Sequence, residues 1–381
     1  MSSEGEHAPL LPRPTLDKRV HYIDNLRSLL VALVIFHHAA LAFGGIGSWP
    51  YVSPYHPSKS SPILSLFVAV NQSYFMGMLF FLSGHLSAQS ASRKSWTAFC
   101  ADKLKRIGLP AVVYTLVVHP LVLILVWWSH HAPIQPALIT YYRALNGVRG
   151  PVWYLAVLLF FDLIYITIRT CLPPFSFLIP TSATRYRVTA ALCILAVSVG
   201  SYLIRLSHPV GRSTPPLGIQ LAYALQYVLA YTAGTCLSSI RQYFLISTHP
   251  GQALALAYMV AIISLATIAI SLRFGMVRLF DVLYAFWNEL CFYIIGTTLY
   301  SFFHHSAHTT KRWGNTARYS YAVYILHALV VVALQILVDT VGGRGVVFGV
   351  IKTLVVGTLG VCISWAAAWI LIRVPGVGKV L

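Results

Sequence analysis

Residues 22–41 read YIDNLRSLLVALVIFHHAAL, an apolar run that is long enough to cross a membrane as a helix. The run nevertheless carries Arg27 near its start and His38 near its middle. Their separation of eleven residues, at 100° per residue, is within about 20° of three full turns, so both side chains share one face of the helix. Asp24 lies on that face and can pair with Arg27. Ionisable side chains inside a membrane usually mark a functional site, which makes Arg27 and His38 candidate site residues.

Both residues also have a purely structural interpretation. Arg27 can be an interfacial cation at a helix end, with its stem along the apolar surface. His38 can be a hydrogen-bonded packing residue. The shared face favours function, since a chance pair would not need to be aligned. His37 points about 100° away from His38 around the helix, so we expect its replacement to matter much less.

The rest of the chain continues the same pattern. Of its 381 residues, 57% are hydrophobic and only 9% are charged, whereas about a quarter are charged in a typical soluble domain. The composition predicts an all-α, polytopic bundle of transmembrane helices. About ten spans are predicted, at residues 27–46, 63–88, 107–128, 152–172, 188–207, 218–239, 252–272, 282–303, 319–339 and 346–372.

The distribution of basic residues predicts the orientation of the bundle. If both termini are cytosolic, the cytosolic segments hold about twice as many Lys and Arg as the other side, as expected for loops that remain inside. We therefore expect a polar cytosolic tail at 1–26, one membrane domain at 27–373 and a short cytosolic C-terminus at 374–381. The formal charge of +18 then belongs mainly to the cytosolic face. Without a soluble basic domain, nucleic acid is not an expected partner.

Five short motifs, in order along the chain, carry a resemblance to a known family. Asp24-x-x-Arg27, followed by ten residues and His38, resembles the first helix of the acyltransferase-3 family of integral-membrane acyltransferases. The other segments that resemble family motifs are FFLSGHL at 80–86, KLKRIGLP at 103–110, GPVWYLAVLLFFDLIY at 150–165 and SYAVYILHALVV at 320–331. Each motif alone is short, but their order on ten predicted spans makes the resemblance specific.

The resemblance implies transfer of an acyl group, often acetyl, from acyl-CoA to a hydroxyl group of an acceptor. A hydroxyl group needs a base to remove its proton, and histidine, with an ordinary pKa of about 6.5, suits that role. His38 is the expected general base, with Arg27 as the second catalytic residue. Direct attack on the thioester is the first choice of mechanism, and an acyl-histidine intermediate is the second. Acyl-CoA, expected to be acetyl-CoA, is a co-substrate; we expect no permanently bound cofactor and no metal.

Four further residues are candidates for binding the donor. Lys103 and Arg106 lie at the cytosolic end of a span and can contact the phosphates of CoA, although both are also ordinary topology signals. Lys103 stands where the family motif has arginine, which loses the forked geometry that grips phosphate. Ser83 and Gly84 can line a channel for the thiol, or simply allow two helices to pack closely.

Three residues are candidates for the acceptor side. Trp153 can shape the acceptor site or belong to an interfacial aromatic belt. Glu289 lies far from any helix end and can orient a histidine or bind the acceptor. His327, in the last of the family-like motifs, can contribute to the site or form a hydrogen bond within the bundle. The expected acceptor is a small or lipid-soluble hydroxyl compound, such as a secondary metabolite.

Two other functions are compatible with these residues. Buried histidines and acids also form the proton relays of transporters, so a proton-coupled transporter is the alternative. No inverted repeat or matched pair of broken helices supports it in the sequence. A non-catalytic membrane scaffold is a third interpretation, but it leaves the aligned Arg27 and His38 without a purpose. The location is expected to be a membrane such as the endoplasmic reticulum.

Overall fold

The part of the chain that the structure describes folds as a bundle of twelve α-helices with one two-stranded hairpin. A computed structural model describes residues 20–172 and 180–381. Most of the expected N-terminal tail therefore lies outside the described residues. The helices are α1 His21–Ala42, α2 Pro62–Ala91, α3 Trp96–Ser129, α4 Ile134–Arg143, α5 Trp153–Cys171, α6 Ala183–Ser207, α7 Ala224–Thr235, α8 Leu237–Phe244, α9 Pro250–Arg273, α10 Val277–His305, α11 Thr316–Asp339 and α12 Val346–Leu371. The strands are β1 Ser213–Thr214 and β2 Ile219–Gln220, paired antiparallel.

Nine of these helices are long and apolar enough to cross a membrane, among the residues that the structure describes. They are α1, α2, α3, α5, α6, α9, α10, α11 and α12. This finding confirms the predicted polytopic all-α bundle. Helix α1 lies near its centre and packs against α2, α10, α11 and α12. Helices α6 and α9 are peripheral, since most of their side chains are exposed on the outside of the bundle.

The sixth predicted span, 218–239, is not a continuous helix. It consists of a 3₁₀ turn at Leu221–Tyr223, the short helix α7, a break at Cys236 and the short helix α8. Hydropathy counts apolar residues but does not detect a bend in the backbone. This segment packs most extensively against α2 within the bundle, so its sequence is not constrained to remain a lipid-facing helix.

Contacts at its two ends show that this broken segment still crosses the bundle. Near its end, the Arg241 guanidinium donates to the Tyr22 hydroxyl at the start of α1, over 3.4 Å. Near its beginning, a Cβ atom on Gly218 would lie only 3.3 Å from Cβ of Trp153 at the start of α5. We call the side marked by Tyr22 the terminal face, because α1 begins and α12 ends there. The other side, marked by Gly218, is the loop face. The cytosolic location of the terminal face stays a prediction.

Helix α3 contains two prolines whose missing N–H groups are compensated by tyrosines. Pro110 has no N–H for the carbonyl of Arg106, which lies one turn earlier, and the Tyr321 hydroxyl donates to that carbonyl instead, over 2.5 Å. The carbonyl left free by Pro120 accepts from the Tyr142 hydroxyl over 2.8 Å. These bonds attach α3 to α11 and α4. Two π-helical turns precede the prolines, at Leu104–Gly108 and Tyr114–Val118.

Helices α2 and α7 approach each other closely because a glycine on each faces the other's backbone. A Cβ atom on Gly84 would lie 2.2 Å from the carbonyl oxygen of Tyr231, and one on Gly234 would lie 1.9 Å from that of Phe81. Neither distance is compatible with a side chain unless the helices move apart. Gly84 therefore has the packing role that was one of its two interpretations from the sequence.

Gly84→Ala is expected to destabilise the bundle by about 1–3 kcal/mol, the usual cost of overpacking a tight contact. The atom that the new methyl group meets belongs to the backbone and cannot rotate away. Thermal unfolding of the purified protein in detergent would measure the effect. Gly342→Ala is the matched control, because a Cβ atom there meets nothing within 4 Å. Equal Tm values for the two variants would contradict the packing role.

A buried ion pair fastens the loop that follows α1. Lys352 Nζ of α12 lies 2.7 Å from Asp339 Oδ1 of α11, and both side chains are buried. Asp339 also accepts hydrogen bonds from Tyr51 over 2.7 Å and from Ser53 over 3.0 Å. The loop at residues 43–61 is thereby held against the ends of α11 and α12 at the loop face.

Candidate active site

A large cavity lies inside the bundle and reaches the loop face. Its volume is about 1700 Å³, which exceeds the usual volume of a small-ligand pocket. His37 and His38 line it, together with residues of the loop-face connections at 46–50 and 209–218. His38 lies four residues before the end of α1 at Ala42. The cavity therefore connects the middle of the first helix with the loop face.

A line of hydrogen bonds runs from His38 into the bundle. His38 Nδ1 lies 3.0 Å from Nε2 of His327 on α11, although the two residues are 289 positions apart in sequence. His327 Nδ1 lies 2.6 Å from the carbonyl oxygen of Tyr324, one turn earlier on the same helix. His327 is fully buried and does not line the cavity. It lies behind His38, where it contacts that ring and not the cavity space.

This line determines which nitrogen of each ring carries a proton. A carbonyl oxygen only accepts, so Nδ1 of His327 must donate to Tyr324. In a neutral His327 ring, Nε2 is then an acceptor, and Nδ1 of His38 donates to it. Nε2 of neutral His38 remains as a hydrogen-bond acceptor, and no side chain among the described residues bonds to it. The arrangement presents one basic nitrogen on the half-buried ring that lines the cavity.

Trp49 contacts one face of the His38 ring, and Gln335 bonds to the His38 backbone. The indole of Trp49 stacks on the His38 ring, with 4.0 Å between ring centroids and 20° between planes. Its Nε1 donates to Oε1 of Gln335 over 2.8 Å. Nε2 of Gln335 donates to the backbone carbonyl of His38 over 2.9 Å. One buried amide on α11 thus fixes both the ring above His38 and the backbone beneath it.

His37 does not face away from the site, contrary to the expectation from helix geometry. It lines the same cavity as His38 and stacks on Phe75, with ring centroids 4.9 Å apart. An angle of 100° separates two side chains on a helix, but a cavity of this size can span that angle. His37 differs from His38 in its contacts, since its Nδ1 is buried without a hydrogen-bond partner among the described residues.

Trp153 also lines the cavity. Its ring packs against that of Tyr227, with centroids 5.7 Å apart, and both residues face the cavity. The wall is otherwise rich in aromatic side chains, including Phe75 and Tyr284. Such a wall suits a ligand with an apolar or ring-containing body.

Glu289 does not reach the cavity. It is buried with an exposed fraction of 2%, and its carboxylate accepts from three neutral donors. These are Ser201 over 3.3 Å, Gln226 over 3.1 Å and Asn288 over 3.1 Å. The structure therefore separates Glu289 from both histidines of the line and assigns it to a network between α6, α7 and α10.

Lys103 and Arg106 lie outside the cavity, toward the terminal face. Lys103 Nζ is 2.7 Å from Oδ2 of the fully buried Asp162 and donates to Ser87 over 2.8 Å. Arg106 is largely exposed and pairs with Asp102 over 2.9 Å. The sequence offered both cations as phosphate contacts, but the structure brings only Arg106 to an open surface.

Arg27 lies near the terminal face, and Ser83 pairs with a tyrosine at the start of α5. Arg27 donates to the carbonyl oxygen of Ala317 on α11 over 3.0 Å and pairs with Asp24 over 3.4 Å. The Ser83 hydroxyl lies 2.7 Å from that of Tyr154, with which Arg27 interacts electrostatically. Arg27 does not line the cavity. It lies about 16 Å from His38 along α1, at the other end of the same helix face.

Three residues of the site were not selected from the sequence. Trp49 lies in a loop where only the fold brings it to His38. Gln335 follows Tyr324 by eleven residues, the same spacing as that of Arg27 and His38, so a search for polar stripes could have found it. Arg205 entered only the count of basic residues on the side opposite the termini.

The fold and the cavity define a multi-pass membrane protein with a histidine-lined internal site. A family model described as an acyltransferase domain matches residues 20–373, nearly the whole chain. The chain therefore belongs to the acyltransferase-3 family, as its motifs predicted, and it is a membrane acyltransferase. No curated protein and no solved structure shows a significant match to it.

Proposed function

We propose that the protein transfers an acyl group, of which acetyl is the first choice, from acyl-CoA to a hydroxyl group of a small or lipid-soluble acceptor. His38 is the general base, acting through Nε2. The observation that carries this proposal is the line of hydrogen bonds that begins at His38, on the cavity wall, and continues to His327 and the Tyr324 carbonyl. A nitrogen base oriented by a second group and facing a ligand-sized space is what activation of a hydroxyl requires.

The reaction can be written with these atoms. His38 Nε2 takes the proton of the acceptor hydroxyl as its oxygen attacks the thioester carbonyl, forming the new C–O bond. The imidazolium is stabilised through Nδ1 by the lone pair of His327. When the C–S bond breaks, the same Nε2 proton can pass to the departing CoA sulfur, which returns His38 to its neutral form. Direct transfer needs no covalent enzyme intermediate.

The two substrates are proposed to approach from different faces. The acceptor enters from the loop face and occupies the cavity that His38 lines. CoA, as a polyanion, approaches the terminal face, where Arg27 pairs with Asp24 and Arg106 is exposed. An extended pantetheine arm would follow the face of α1 from Arg27 toward His38.

The contacts of the buried acids do not favour the transporter alternative. Asp162 is paired with Lys103, and Asp339 with Lys352. Glu289 is held by three neutral donors. Fixed partners of this kind stabilise one arrangement of a bundle, whereas a relay needs groups that exchange protons along a path.

Purified protein incubated with radiolabelled acetyl-CoA and a panel of hydroxyl compounds is the direct test. We expect label to appear in one compound in step with release of free CoA thiol. Longer acyl-CoA donors, offered in parallel, would define the chain length. Binding of CoA without transfer to any member of the panel would favour a scaffold. If CoA neither binds nor is released, the donor assignment is wrong, and proton flux in proteoliposomes becomes the decisive measurement.

A further inference from the structure

Arg205 is a buried cation on the cavity wall with unused hydrogen-bond donors. It lies two residues before the end of α6 at Ser207, and its exposed fraction is 9%. Its Nε donates to the carbonyl oxygen of Ala222 over 3.2 Å. Both terminal nitrogens, Nη1 and Nη2, are buried without a hydrogen-bond partner among the described residues. Leaving charged donors unsatisfied is costly, so this group is prepared for a ligand.

Two tyrosine rings lie beside the guanidinium group. The centroids of the Tyr223 and Tyr284 rings each lie 5.2 Å from its central carbon. Contacts with aromatic faces stabilise the cation but use none of its N–H groups. With Nε bonded to the backbone, the edge formed by Nη1 and Nη2 is the part left for a partner. All three side chains line the cavity, so that partner can come from the cavity space.

The charges around Arg205 favour an anion. Arg149, Arg273 and Arg278 also line the cavity, and Asp281 is the acid that lines it among the described residues. Glu289, outside the cavity, interacts electrostatically with Arg205, but the two side chains form no ion pair among the described residues. The Glu289 carboxylate accepts from three neutral groups instead. The cavity is therefore positively charged on balance, with its most buried arginine still unpaired.

We propose that Arg205 binds an anionic oxygen group of the acyl acceptor, a carboxylate or a phosphate, through Nη1 and Nη2. A planar guanidinium presents two parallel N–H groups that match such an anion. This inference rests on the proposed function, because it assigns the acceptor to the cavity that His38 lines. It narrows the acceptor class from hydroxyl compounds in general to hydroxyl compounds that carry an acid group and an apolar body.

Binding can be measured without turnover. Thermal unfolding of the detergent-purified protein would be followed with 3-phenyllactate, its methyl ester and phenyl phosphate as probes. The acid and the ester share a hydroxyl group and a ring and differ in charge. We expect the acid to raise the Tm and the ester to have little effect. A larger rise with phenyl phosphate than with phenyllactate would identify phosphate as the preferred group.

Three variants separate the forked contact from general charge. Arg205→Gln and Arg205→Lys should each weaken binding of the anions by about tenfold or more. Glutamine removes the charge, and lysine keeps the charge but loses the two parallel donors. The lysine variant also keeps a cation beside the two tyrosines, which guards against loss of folding. Arg278→Gln is the matched control, since it removes an exposed charge from the same cavity. It should retain most of the binding.

Several results would overturn the proposal. These are equal stabilisation by acid and ester, no stabilisation of the wild type by any anion at millimolar concentration, or full binding by both Arg205 variants. CoA is a further probe, and its binding should not depend on Arg205. A loss of CoA binding in both variants would transfer the site from acceptor to donor. Anion binding through Arg205 in a protein that transfers no acyl group would retain the anion site and contradict the proposed function alone.

Discussion

His38→Ala is expected to lower the rate of acyl transfer by about 10²- to 10⁴-fold, the usual contribution of a positioned general base. The variant removes Nε2, the one basic nitrogen that the hydrogen bonds to His327 leave available on this ring. The measurement is the rate of label transfer from acetyl-CoA at saturating donor. The variant should remain folded, because the cavity already adjoins the side chain that is shortened.

His37→Ala is the matched control for this variant. It removes an imidazole from the adjacent position of the same helix and the same cavity, but it leaves the bond between His38 and His327 intact. We expect a change in the KM of the acceptor with kcat retained within about tenfold, because the base is still present. A large loss of kcat in His37→Ala, with normal turnover in His38→Ala, would show that the base has been assigned to the wrong residue.

Lys103→Met is expected to destabilise the protein by about 3–5 kcal/mol, the cost of leaving a buried charge without its partner. Asp162 is fully buried, and Lys103 is the cation that lies 2.7 Å from it. The Tyr231 hydroxyl also donates to Asp162, over 2.6 Å, but a neutral donor does not balance the charge. A decrease in Tm in detergent would measure the effect.

Two comparisons make this expectation specific. Arg106→Met removes a neighbouring cation whose side chain is 60% exposed and should cost only about 0–1 kcal/mol. Adding Asp162→Asn to Lys103→Met removes the unpaired charge and should recover much of the stability. If Lys103→Met unfolds at the same temperature as Arg106→Met but loses affinity for CoA, Lys103 is a donor contact, as the sequence suggested, and not a structural partner.

The features that could be predicted from the sequence are those that depend on one helix at a time. The shared face of Arg27 and His38 follows from residue spacing, and the apolar runs follow from composition. The bond between His38 and His327 could not be derived in this way, because it depends on how α1 packs against α11. The family motifs pointed to both residues without indicating that they touch.

Lys103 and Arg205 show the same limit for charged residues. Lys103 was assigned from its position at a helix end, and Arg205 entered only the count of basic residues on the side opposite the termini. Neither observation says what the cation faces. Lys103 meets Asp162 from α5, whereas Arg205 meets two tyrosine rings and no anion among the described residues. Only the packing of several helices distinguishes a satisfied cation from one that is available to a ligand.

The stacking of Trp49 on His38 has a consequence for the regiochemistry of the product. One ring face of His38 is covered by the indole, and its Nδ1 edge is occupied by His327. An acceptor oxygen must therefore approach in the plane of the ring, at Nε2. In a molecule with several hydroxyl groups of similar acidity, only the group that reaches His38 Nε2 in the plane of the ring would react. We expect a single positional isomer of the ester, selected by shape and not by intrinsic reactivity.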